Sequence, residues 1–154
     1  MNKNEWDNKF SQWSSPPSYT EEEKIDNAVK SIRKAIGNDD VLKAKNITIF
    51  VQGSYRNNVN VKKDSDVDVG ILCIDTFNYE ANREDIRQKV DKEFSPATYH
   101  YSTFKKDIQN ALEKYFGKNA VSRGDKAFNI KENSYRVDAD VVPFFEFRYY
   151  YNFD

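Results

Sequence analysis

Cysteine occurs once, at Cys73, and histidine once, at His100, so neither an intrachain disulfide nor a thiolate or multi-histidine zinc centre can be built. No apolar run opens the chain between Met1 and Phe10, which argues against a signal peptide or a membrane span there. The expectation is a soluble, cytoplasmic protein. Net charge is scarce as well: charged residues make up 32% of the chain yet sum to −1. That balance offers no global basic field for gripping long nucleic acid. Small phosphorylated substrates, held by local groups and metal ions, stay open. Neither an internal repeat nor a low-complexity segment is found.

What is present suffices for a core. A chain of 154 residues, 38% apolar, with 11 Phe and 10 Tyr, has room for one domain. Such a domain buries about two-thirds of its unfolded surface without disulfides. Residues 1–19 read as an N-terminal arm, with Trp6, Phe10 and Trp13 among polar residues and Pro16-Pro17 breaking any helix. The arm's aromatics are expected to dock on the domain surface.

Residues 20–154 read as the domain itself. Thr20 and Glu23 fit a capping box, and Ile25, Ala28, Val29, Ile32, Ala35 and Ile36 form one apolar stripe before Gly37, which is placed to end the helix. Residues 47–51 predict a strand, and Asp66 to Asp75 a second, with Val67, Val69, Ile71 and Cys73 on one face. Helices are predicted over 83–93 and 103–116, and two more strands near 126–131 and 135–142. The order implies an α/β (α+β) fold, a mixed sheet backed by helices. The chain then closes on seven aromatics within 144–154. Either they form a last strand, or they mark where a second domain should begin.

Three sequence features carry chemistry. Gln52-Gly53-Ser54-Tyr55 follows a strand directly, and a Gly-Ser bend there lets backbone N–H groups and the Ser54 hydroxyl approach phosphate oxygens. Asp66 and Asp68 lie two apart at the start of the second strand, so both carboxylates point to one face. Hard divalent cations such as Mg²⁺ favour such oxygen ligands. A third acid comes from the stretch Tyr135 to Pro143, where Tyr135, Val137, Ala139 and Val141 share one face and Asp138 and Asp140 the other. Acids amid β-branched residues are costly unless paired or metal-bound. Asp140, followed by Val-Val-Pro, is taken as the ligand; Asp138 could instead sit at a solvated edge, paired with Arg136. Three carboxylates from two strands can hold two Mg²⁺ ions, one to acidify an attacking hydroxyl and one to neutralise leaving pyrophosphate. Phosphoryl and nucleotidyl transfer need no histidine or cysteine nucleophile.

Gly53-Ser54, Asp66-x-Asp68 and Asp140-Val-Val-Pro together resemble the signature of the DNA polymerase β-like nucleotidyltransferase superfamily. More narrowly, the run from Gly53 to Val69 resembles the bacterial cGAS/DncV-like nucleotidyltransferases (CD-NTases), and is similar to 2′-5′ oligoadenylate synthases. The likeness extends from about Trp13 to about Phe147. It implies a palm-like sheet, condensation of nucleoside triphosphates such as ATP and GTP with two Mg²⁺ ions (Mn²⁺ substituting), and cyclic nucleotide signals in anti-phage defence. Gln52, Gly53 and Ser54, with Asp66 and Asp68, would hold the nucleotide. Asp66, Asp68 and Asp140 would bind the metals, and Asp140 would help to activate the acceptor hydroxyl.

Two departures stand out. Val59 replaces a Thr carried by many relatives, and the chain stops before the C-terminal helical domain that closes their nucleotide cleft. A fragment, or a domain completed by a partner chain, is implied, with little synthase activity in isolation. Two alternatives compete: a minimal antitoxin-type enzyme that transfers AMP to a protein, and an inactive binding or assembly module. Of the remaining residues, Lys62 and Lys63 read as a solvated face, Arg123 and Lys126 as candidates to line the cleft, His100 as structural and Cys73 as buried.

Overall fold

The computed structural model describes residues 3–4, 19–52 and 66–153. Gly53, Ser54, Val59, Lys62 and Lys63, and the arm residues Trp6, Phe10, Trp13, Pro16 and Pro17, lie outside the described residues.

The helix α1 (Glu21–Gly37) begins as its sequence dictates. Glu23 N donates to Thr20 Oγ1 at 3.1 Å and Thr20 N donates to Glu23 Oε2 at 3.0 Å, closing the capping box. Such a cap is worth about 1 kcal/mol. Gly37 is the last helical residue rather than the exit, and Asn38 caps the helix in a right-handed conformation. Ile25, Ala28, Ile32, Ala35 and Ile36 are buried along one stripe.

Among the described residues five strands follow the order β1-β2-β5-β4-β3: β1 (Ile47–Gln52), β2 (Val67–Ala81), β3 (Val121–Arg123), β4 (Phe128–Ile130) and β5 (Ala139–Tyr150). Only β2 and β5 run parallel; every other neighbouring pair is antiparallel. Between β2 and β3 lie α2 (Glu84–Glu93) and α3 (Tyr101–Phe116). Gly117, at φ 89, takes the left-handed exit from α3 that a side chain would resist. Among the described residues no helix is long and apolar enough to cross a membrane.

The sheet differs from its sequence reading in three places. The second strand runs on to Ala81, because a register shift between Cys73 and Phe77 lets it pair with β5 again as far as Ala81–Tyr150. The last strand begins at Ala139, not 135. Tyr135 and Arg136 donate their backbone N–H groups to Asn133 Oδ1 (2.9 and 3.0 Å), which ties this segment into a turn. That strand then continues through the aromatic tail, so residues 144–150 pair in the sheet. Finally, β3 was not foreseen, since three residues are too few to show alternation.

The helices α1 and α3 cover one face of the sheet. There Val67, Val69, Ile71, Cys73, Phe128, Ile130, Ala139 and Val141 meet Ile32, Phe104, Ile108 and Leu112 in a single core. Alternation turns Asp68, Gly70 and Leu72, and likewise Asp140, Val142 and Phe144, to the opposite face. On that face the Phe50 ring lies across Gly70, where an added Cβ would sit 2.3 Å from the ring. The same ring stacks on Phe144 at 5.9 Å. An aromatic floor thus borders the acids.

Candidate active site

The register places one polar residue from each strand in a single row on the open face. Gln52 stands opposite Asp68, Asp68 opposite Asp140, Asp140 opposite Asn129, and Asn129 opposite Ser122. The next row, on the helix side, reads Val51, Val69, Val141 and Phe128. The contrast explains why acids survive here: the pleat sends each one away from the core while its neighbours anchor the strand in it. Adjacent strands are about 4.8 Å apart, so Asp68 and Asp140 start from neighbouring backbone positions.

Asp66 directly precedes β2. Val67 N donates to Asp138 O at 3.1 Å, which ties this entry to the chain entering β5. Asp138 Oδ1 accepts from Glu132 N at 2.5 Å. Asp140 Oδ1 accepts instead from the Asn129 side-chain Nδ2 at 3.0 Å. The pairing of Asp138 with Arg136 is not found: the Arg136 guanidinium lies 4.8 Å over the Phe116 ring, and burial lowers its pKa.

Like charges mark the site. Asp66 and Asp68 are exposed, yet each carboxyl loses some water to the sheet beneath it, and this raises its pKa. For Asp66 the charges of Asp138, Asp140, Asp68 and Glu132 add to the rise, and for Asp68 that of Asp140 does. Among the described residues no three His, Cys, Asp or Glu side chains are already gathered tightly enough to hold a metal ion. Uncompensated carboxylates hold one another off. An all-oxygen, all-acid donor set whose repulsion a cation would relieve fits a hard divalent ion.

A pH dependence follows for the metal-free protein. A carboxyl whose folded pKa is raised binds more protons folded than unfolded, so its stabilising effect is full below the ordinary value of 3.8 and is lost as pH rises through the raised value. Urea midpoints measured from below 3.8 to neutrality should therefore fall more for the wild type than for Asp68→Asn. Saturating Mn²⁺ should reverse that difference. Equal slopes without metal would show that the acids do not strain the fold.

Beside Asp140 lies a cavity of about 520 Å³ whose lining includes Ser122, Arg123, Lys126 and Asn129. Arg123 and Lys126 thus border the acid row, and Arg123 Nη1 also donates to Gln109 Oε1 at 3.1 Å. A second cavity of about 590 Å³ sits at the other end of β2, between Lys45, Thr76, Phe94 and Tyr99. His100 is exposed just before α3, with no capping bond from its ring. Cys73 is fully buried, and burial pushes its thiol pKa up. Sequence reading passed over Ser122 and Asn129. The one available signal was a polar residue alternating with Phe128 and Ile130, in a run too short to weigh.

The family model described as the nucleotidyltransferase domain matches residues 29–151. The chain belongs to the nucleotidyltransferase family. Members of this family generally use divalent metal ions. This nucleotidyltransferase is 46% identical to the cyclic dipyrimidine nucleotide synthase CdnE of Legionella pneumophila, over 96% of its own length and 50% of the relative's. It is 40% identical to the CdnE of the same description from Cecembia lonarensis, over 94% and 48% of the two chains. The solved structure of Rhodothermus marinus CdnE c-UMP-AMP synthase with Apcpp and Upnpp superposes with a TM-score of 0.70 at 29% identity, covering 81% of this chain and 41% of that one. The resemblance to the bacterial cGAS/DncV-like group therefore holds, as does the expected mixed-sheet α+β fold. The nucleotidyltransferase chain spans about half the length of the curated relatives it matches.

Proposed function

We propose that this chain is the catalytic half of a cyclic oligonucleotide synthase, which joins nucleoside triphosphates and releases pyrophosphate in the bacterial cytoplasm as part of anti-phage defence. The observation that carries this reading is the pairing of Asp68 with Asp140 across parallel strands, on the open face of the sheet. Residues 20–154 act as the catalytic domain and residues 1–19 as an arm, and the relatives' other half lies beyond the matched region.

The roles follow from position. Gln52, Gly53 and Ser54, at and just beyond the end of β1, hold the triphosphate with Asp66 and Asp68. Asp68, between Gln52 and Asp140 in the row, faces both the phosphate side and the acceptor side. Asp66, Asp68 and Asp140 are the metal ligands. Two Mg²⁺ ions, or Mn²⁺ in their place, would offset phosphate charge and acidify the acceptor hydroxyl. Asp140 takes the proton that this hydroxyl loses. The stacked rings of Phe50 and Phe144 lie behind the row.

Incubating the product of the full reading frame with labelled ATP, GTP, CTP and UTP, singly and paired, tests the proposal. A small, phosphatase-resistant labelled product that needs divalent metal is the expected result, with little or none from the 154 residues alone. Label retained on protein would support AMP transfer instead, and no product under any metal condition would indicate a binding module.

A further inference from the structure

Asparagine is a poor strand former, depleted because its side chain competes for backbone hydrogen bonds. Asn129 nevertheless occupies the centre of β4, between Phe128 and Ile130, each 1% exposed. Its neighbours explain the strand, not the amide. The register sets Asn129 directly opposite Asp140 on one side and Ser122 on the other. Its side-chain Nδ2 donates to Asp140 Oδ1 at 3.0 Å, a bond between an amide and the carboxylate to which the proposed function assigns metal and proton. Both residues are half-buried and line the same 520 Å³ cavity. Asp66 and Asp68 receive no comparable side-chain donor among the described residues. Asp68, whose place in the row is flanked by Gln52 and Asp140, also feels the Asp140 charge.

The geometry points to Asn129 as a positioning residue that fixes the Asp140 carboxylate for metal, an inference that rests on the function proposed above. A carboxylate with both oxygens free can rotate about its last torsion and can turn away from the other acids. Tethering Oδ1 to the neighbouring strand stops that rotation and leaves Oδ2 as the free oxygen. The tether also contributes a donor to a carboxylate that stands beside the like charge of Asp68, and such charge-assisted bonds exceed neutral ones in strength. Outer partners of this kind orient ligands they do not replace, and their loss costs about 10–100-fold in metal affinity. Because β4 and β5 pair antiparallel, the tether joins two directly opposed backbone positions.

Mn²⁺ binding to the 154-residue chain, followed by the loss of the free-ion electron paramagnetic resonance signal, tests this without relying on turnover. Four proteins are compared: wild type, Asn129→Ala, Asp140→Asn and Ser122→Ala. Asn129→Ala is expected to weaken Mn²⁺ binding by about 10-fold or more, with the metal-free melting temperature little changed. Asn129→Gln, which keeps a donor, should recover part of that loss, a rescue that a merely structural role would not show. Ser122→Ala, in the same row and cavity without a bond to Asp140, should bind as wild type does. If Asp140→Asn loses the ion while Asn129→Ala keeps wild-type affinity, the positioning role is wrong and the metal site stands. If neither wild type nor any variant binds Mn²⁺, the metal-site reading fails first and Asn129 loses its role with it.

Discussion

Phe104→Ala is expected to destabilise the fold by about 3–5 kcal/mol. Phe104 is 0% exposed in the first turn of α3, where helix propensity alone offers little. Its ring stacks on Phe145 of β5 at 5.3 Å and meets Tyr99 edge-on at 6.1 Å. Tyr101 OH also donates to Pro143 O at 2.9 Å, so the start of α3 is clamped to the strand that carries Asp140. Truncation leaves a cavity at this clamp, and neighbouring aromatic rings cannot collapse into it without giving up their own contacts. Urea denaturation followed by circular dichroism measures the loss. Tyr115→Ala, at a residue 45% exposed on the same helix, should cost far less. A Phe104→Ala loss below about 1 kcal/mol, the ordinary size for a point change, would mean that α3 is held mainly by its other buried residues.

Asp68→Asn should separate function from stability in the opposite sense. Without metal, the variant removes one charge from a row of mutually repelling acids, so its melting temperature should equal or exceed that of the wild type. With divalent metal at about 100 times the dissociation constant, the wild type gains about 2.7 kcal/mol, and the variant should lose most of that gain. Thermal unfolding with and without Mn²⁺ reads both effects. Asp140→Asn should behave alike. Asp138→Asn should differ, because Asp138 Oδ1 already accepts from Glu132 N, so the change weakens the turn and leaves the metal shift intact. A full metal shift in Asp68→Asn would remove that residue from the ligand set.

Elements with a long, single-period pattern were legible from the residues. The stripe from Ile25 to Ile36, the box of Thr20 and Glu23, and the alternation of Val67, Val69, Ile71 and Cys73 each state their own partner face. Boundaries failed where a non-local contact decided them. The extension of β2 past Asp75 depends on β5 lying alongside after a register shift, which no local run of residues encodes. The late start of β5 depends on Asn133 and Asp138 taking up backbone N–H groups in the preceding turn. The acids divide in the same way. The spacing sets Asp66 and Asp68 two residues apart at the start of β2, whereas the neighbour of Asp140 across the sheet follows from register. The bond from Asn129 could not be read at all, since β4 is three residues long and its place beside β5 is a fact of topology.

The two central strands run parallel, and that arrangement bears on the order of assembly. A parallel pair cannot be closed by a tight turn, so α2, α3 and the short β3–β4 pair all intervene before β5 can settle against β2. Contacts this distant along the chain form after local ones have met their entropy cost. The carboxylate pair therefore comes into existence near the end of folding, and a divalent ion supplied to the unfolded chain has nothing to template. At the metal site proposed above, a bound ion would slow unfolding and leave the refolding rate nearly unchanged.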